Sequence, residues 1–189
     1  MLLREFPGAD RFIHELDEAV SAECTKEVTD RLRNTLCRMI RERTVTLPKT
    51  VFDCCGDHYA RRELYHSESH GYSVVAMTWG PRQGTPIHDH CGLWCVEGVF
   101  EGALEIEQYD LVEQQDGRFH FESVGSIQAG PGSAGSLIPP HEYHTIRNPS
   151  DDAVAVSVHV YKSRLENCAV FNPIGGDWYE KGTRVLSLD

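Results

Sequence analysis

His88 and His90 stand two residues apart in the stretch GTPIHDHCGLW. In an extended chain residues i and i+2 project to one face, so both imidazoles can reach one ion while Asp89 points away. Neutral imidazole is the commonest protein ligand for metals and suits zinc, iron, copper and nickel alike. A third donor stands about fifty residues on, in PPHEYHTIRN, which offers both His141 and His144. A shell of neutral imidazoles leaves the cation its full charge and open positions for other ligands. Iron and a tetrahedral zinc site both fit these ligand types. Five further histidines, His14, His58, His66, His70 and His120, lie in polar surroundings and read as solvated.

A second pattern lies in the segment AVAVSVHVY. Val154, Val156, Val158 and Val160 fall on one face of a strand and form a core stripe. Ala155, Ser157, His159 and Tyr161 fall on the other. Hydroxyl, imidazole and phenol on alternate positions can form a proton-carrying hydrogen-bond chain; a wet outer barrel face is the plainer reading.

These groups need a scaffold, and the chain changes character near residue 46. Before it, Phe12, Ile13, Leu16, Ala19 and Val20 recur at helical spacing, followed by Val28, Leu32, Leu36, Met39 and Ile40, with Thr25 as an N-cap between the two sets. After it come short strands: Tyr72 to Trp79, Trp94 to Phe100, Leu104 to Leu111, Phe119 to Val124 and Ala153 to Tyr161. Turns are expected at Gly80-Pro81, at Asp116-Gly117 and along Gly130 to Pro140. Many short strands with regular turns predict a sandwich or barrel, a class that includes the double-sheet jelly rolls. With no internal repeat or linker, the expectation is a single mainly-β domain over 1–189: a helical segment, 1–45, packed on a β-barrel, 46–189.

The formal net charge of -11 excludes partners that reward clustered Lys and Arg, nucleic acid and anionic membrane among them. No apolar run approaches the roughly 20 residues of a membrane span. The opening MLLREFPGADRF is broken by charge and proline, unlike a secretory leader. Seven cysteines, an odd number without paired-knuckle spacing, point to reduced thiols and a cytoplasmic location.

HxH, then a histidine followed by three residues and an asparagine, resembles the two motifs of the cupins; that pattern selects His144 and Asn148, leaving His141 as a loop residue. Many cupins carry a glutamate ligand four or five residues after HxH, where this chain has Trp94 or Cys95; Glu97 is near but wrongly spaced. More specifically, residues 45 to 170 resemble the cysteine dioxygenase family of thiol dioxygenases, in its bacterial-type form. Trp79-Gly80 precedes the HxH as in that family, and His144 stands thirteen residues before Ser157. The resemblance implies a jelly-roll cupin holding Fe(2+) on His88, His90 and His144. Ser157, His159 and Tyr161 would form a hydrogen-bonded relay beside it. Tyr59 and Arg61 would hold the substrate carboxylate, Arg61 being preferred to Arg62 because it shares a strand face with Tyr59. Some members join a cysteine to the relay tyrosine by a thioether; Cys95, five residues after His90, fits that spacing, with Cys91 as competitor. The implied reaction is oxidation of L-cysteine by O2 to cysteine sulfinic acid, in a monomer or small homo-oligomer. The alternatives are 3-mercaptopropionate or cysteamine as substrate, a zinc or manganese isomerase or lyase, or a non-catalytic metal-binding cupin.

Overall fold

The computed structural model describes residues 6–189, so the MLLRE of the opening segment lies outside the described residues. Two helices come first, α1 (Ala9–Val20) and α2 (Thr25–Arg41). Each buries the apolar stripe seen in the sequence: Phe12, Leu16 and Ala19 from α1, and Val28, Leu32, Leu36 and Met39 from α2. Glu15 takes ion pairs from Arg11 on its own helix and from Arg38 on α2, tying the two together. Thr25 is the first residue of α2 rather than its cap. The capping position belongs to Cys24, and the side-chain hydroxyl that bonds there is that of Thr29, turned back to the Thr25 carbonyl at 3.0 Å.

A short 3₁₀ turn at Lys49–Phe52 leads into the strands. These are β1 (Ala60–His66), β2 (Ser73–Trp79), β3 (Ile87–His88), β4 (Cys95–Glu101), β5 (Leu104–Gln115), β6 (Arg118–Ala129), β7 (Ala134–Leu137), β8 (His144–Arg147), β9 (Ala155–Tyr161), β10 (Asn167–Gly175) and β11 (Trp178–Val185). One sheet runs β1-β2-β9-β4-β7. The other runs β10-β11-β6-β5-β8-β3 and closes because β3 also pairs β10. All pairings are antiparallel, as expected for a jelly roll. This is a mainly-β cupin fold with N-terminal helices.

Asp116 and Gly117 both take positive φ, 50° and 76°, and turn β5 into β6 as a two-residue hairpin needs. The stretch Gly130 to Pro140 is not all turn. Ala134–Leu137 within it pairs with Gly98 to Cys95 of β4, because the sheet edge beside β4 offers unpaired backbone groups that a four-residue strand satisfies. The segment after Cys168, which carries little pattern, continues as the β10-β11 hairpin and closes the second sheet.

The helices lie on the outer face of the first sheet. Leu32, Leu36 and Met39 share a core cluster with Val156, Val158 and Val160. Gly98 on β4 permits the approach: a Cβ there would come within 3.2 Å of Ile40 and 3.4 Å of Leu36. A fully buried side chain of this size is worth about 1.5–3 kcal/mol in transfer from water. Both faces of β9 are therefore buried, the valine face under the helices and the other face inside the barrel.

Candidate metal centre

The inner face of the first sheet is laid out by strand register. Tyr161 of β9 is flanked by Ser73 on β2 and Cys95 on β4; His159 by Val75 and Glu97; Ser157 by Met77 and Val99. Arg61 on β1 continues the Met77–Ser157 row. From the other sheet, His88 of β3 lies directly opposite His144 of β8.

His88, His90 and His144 bring one ring nitrogen each within 4.8 Å of the others. Their ring centroids are 4.3 Å apart for His88–His144, 5.2 Å for His90–His144 and 5.4 Å for His88–His90. The His144 Nδ1 lies 2.8 Å from the Glu142 carbonyl and the His88 Nδ1 3.2 Å from that of Pro86. A carbonyl only accepts, so each Nδ1 carries the proton and each Nε2 keeps a lone pair. The His144 Nε2 and the His90 Nδ1 are buried without a hydrogen-bond partner. Burial holds all three rings neutral: it lowers the His88 pKa to about 4 and those of His90 and His144 well below the ordinary value. Convergent neutral imidazoles with unpartnered nitrogens are a donor set that fits a divalent transition metal. Asp89 points away, accepting from the Cys91 and Ala169 amides.

Asn148 is buried, and its amide bonds the carbonyls of Trp79, Gly80 and Ala153 at 2.8–3.1 Å. It thus pins the end of β8, which begins at His144, to the end of β2. His141 is 80% exposed in its side chain and lies in the loop near Asp110 at 3.7 Å, apart from the three rings.

The three rings, Arg61, Tyr59, His159 and Tyr161 line one small cavity. Arg61 is 5% exposed and donates to the carbonyls of Leu165 and Ser187, each at 3.2 Å. Arg62 faces the other way and bonds the carbonyls of Val51 and Asp53. Tyr59 packs on Trp79, ring centroids 4.7 Å apart.

The polar row on β9 departs from a simple chain. Trp79 Nε1–H donates to Ser157 Oγ at 2.9 Å, and Ser157 Oγ lies 2.7 Å from His159 Nε2. His159 Nδ1, however, faces Glu97 Oε2 at 3.4 Å and Cys95 Sγ at 3.9 Å, while the Tyr161 hydroxyl donates to Met77 Sδ at 3.9 Å. The expected His159–Tyr161 hydrogen bond is absent. With Nε2 engaged by Ser157, the ring turns its other nitrogen across to β4, where Glu97 is its register partner. Desolvation lowers the His159 pKa to about 3 and raises the Tyr161 phenol and Cys95 thiol well above their ordinary values.

Three neighbours of the centre escape the motif reading. Glu97 is 6% exposed, its Oε2 makes no hydrogen bond but lies 3.4 Å from His159 Nδ1 and 4.0 Å from His144 Nε2, and burial lifts its pKa to about 8. Glu97 follows Cys95 by two on the same strand, and that alternation would have turned it inward. Cys168, its thiol raised to about 11 by burial, and Leu186 also line the metal cavity. Cys168 stands at the start of β10 and Leu186 in the segment after β11, and no motif marks either. Among the histidines read as solvated, two are half-buried: His66, with Nδ1 unpartnered, and His120, stacked on Trp178.

Cysteine dioxygenase type 1 of Rattus norvegicus is 22% identical over 111 residues, 59% of this chain and 54% of that protein. The chain thus spans about half the length of that curated relative. Among solved structures, TT1209 from Thermus thermophilus is 18% identical, with a TM-score of 0.46 over 60% of this chain and 90% of that one. An uncharacterized conserved protein with a double-stranded beta-helix domain from Klebsiella pneumoniae is 17% identical, with a TM-score of 0.42 over 59% and 83%. The model of the cysteine dioxygenase type I family matches residues 50–173, a stretch that holds the three histidines, Arg61 and the polar row of β9, and the chain belongs to that family.

Proposed function

We propose that the chain is an iron(II)-dependent thiol dioxygenase that converts L-cysteine and O2 to cysteine sulfinic acid. One observation carries the reading: a single cavity is lined by three neutral imidazoles, a buried guanidinium and a buried phenol. A structural metal needs neither of the last two. His88, His90 and His144 would hold the iron, which when bound supplies a cation that favours thiolate over thiol and brings oxygen beside it.

The remaining work falls to the chain. The Arg61 guanidinium presents a rigid fork matched to a carboxylate, so it would fix the end of the substrate opposite its sulfur. Tyr59 stands on the same wall, held by Trp79. The Tyr161 phenol, kept protonated by burial, would donate a hydrogen bond to the reacting sulfur or oxygen. Ser157 and His159 would hold the interior around it through the Trp79–Ser157–His159 bonds. Met77, Ile146 and Leu165 give the cavity apolar walls. Cys95 lies opposite Tyr161 across β4 and β9, a placement that supports the thioether. Forming it would replace one S–H and one ring C–H by an S–C bond, the two hydrogens passing to oxygen. All seven cysteines are unpaired, which supports a reducing, cytoplasmic setting.

The test is metal content by mass spectrometry on protein purified from a metal-balanced medium, with oxygen uptake on cysteine, 3-mercaptopropionate and cysteamine. Iron near one per chain, uptake fastest with cysteine and a product heavier by two oxygen atoms are expected. Zinc in place of iron, with no uptake on any thiol, would overturn the proposal. Intact mass, compared with Cys95→Ala, reads the thioether separately as a loss of two hydrogens.

A further inference from the structure

The metal cavity is small, about 20 Å³, little more than the space one water needs. Outside it lie two open hollows of about 510 and 380 Å³. Arg61 and Leu186 line all three, while Tyr59 lines the cavity and the first hollow and Leu165 the cavity and the second, so these four side chains separate the cavity from the hollows, with Arg61 and Leu186 at the point where all three meet. Leu186 belongs to the segment after β11, which crosses the mouth as an extended strap. Its backbone is fastened at three points: the Leu186 amide to the Glu166 carbonyl at 2.8 Å, the Ser187 carbonyl to the Arg61 guanidinium at 3.2 Å, and the Asp189 amide to the Arg61 carbonyl at 2.8 Å. The Asp189 carboxylate is clasped in turn by the Arg61 amide at 2.8 Å and by His58 Nε2 at 2.9 Å.

A cysteine-sized thiol cannot occupy the cavity while the strap lies this way, and the residue best suited to bind its carboxylate is already holding the strap. A carboxylate is a stronger acceptor for guanidinium than a neutral carbonyl. We propose that Leu186–Asp189 is a specificity-determining strap, released when a substrate carboxylate takes Arg61 from the Ser187 carbonyl, so that small thiol carboxylates are admitted in preference to thiols without one. This rests on the thiol dioxygenase reading and adds to it a gate made by residues beyond the family match, which ends at residue 173. Leu186 fills the mouth; His58 and Asp189 only hold the strap's end.

The experiment uses the full chain as purified and has a readout that needs no turnover. Cys168 lines the metal cavity, so its alkylation by N-ethylmaleimide, followed by peptide mapping, reports how often the mouth opens. Leu186→Ala should speed that alkylation about tenfold, as loss of packing at a local opening would, and His58→Ala should speed it to a lesser degree. Oxygen uptake should show that Leu186→Ala raises kcat/KM for cysteamine far more than for cysteine. Unchanged Cys168 alkylation in both variants would overturn the strap, and an equal gain for both thiols would overturn its release by carboxylate. Absence of oxygen uptake by the unmodified protein on every thiol would instead overturn the dioxygenase reading, with the alkylation still judging the strap.

Discussion

The two faces of β9 are equally buried and chemically opposite. Val156, Val158 and Val160 meet Leu32, Leu36 and Met39 of α2, a contact of apolar surfaces that needs no specific geometry beyond fit. Ser157, His159 and Tyr161 point into the barrel, where every polar atom costs free energy unless it is bonded. The first face should therefore answer to volume and the second to individual atoms. Substitutions on the two sides separate stability from chemistry within one strand and its neighbours.

The largest effect is expected opposite the polar face. His144→Ala should remove the bound metal and all oxygen uptake while the circular dichroism stays native, whereas His141→Ala should keep most of the metal. The reverse result, in metal analysis of the two variants, would show the wrong histidine in the ligand set. Beneath the apolar face, Leu36→Ala should lower stability by about 2–5 kcal/mol in a denaturant titration. Turnover per folded molecule should stay near the parent's; a drop comparable to that of a polar-face variant would break the division.

Tyr161→Phe removes one hydroxyl and keeps the ring. Its rate should fall on the order of 10²-fold with metal content unchanged, as loss of a placed donor does. Parent-like turnover would remove Tyr161 from the chemistry. Arg61→Ala should lower kcat/KM for cysteine by about ten- to a hundredfold, from the roughly 1.5–3 kcal/mol of a charged hydrogen bond. Cysteamine should lose much less, and Arg62→Ala, which faces Val51 and Asp53, should leave the preference alone. The smallest effect belongs to the helix side again. Tyr72→Phe breaks the 2.8 Å bond to Asp17 that fastens α1 to the sheet, and should cost about 1 kcal/mol in stability with no kinetic change.

Periodicity and spacing were enough for the two helices, for β2, β4, β5, β6 and β9 among the strands, and for the inward set on β9, because burial follows the 3.6 and 2.0 repeats of the backbone. The pairing of His88 with His90 was legible for the same reason. The separation of Arg61 from Arg62 also needed nothing beyond strand alternation. What local pattern could not contain was any relation across strands. That His88 faces His144, that Glu97 rather than Tyr161 meets His159 Nδ1, and that α2 turns an ordinary half-buried strand into one buried on both faces are matters of register and packing between segments far apart in the chain. The strap is the clearest case. Val185 to Asp189 carry no motif, and their place over the cavity follows only from where the β10-β11 hairpin ends and which carbonyls Arg61 can reach. Composition and alternation say which side chains turn inward; only the closed barrel decides which of them meet.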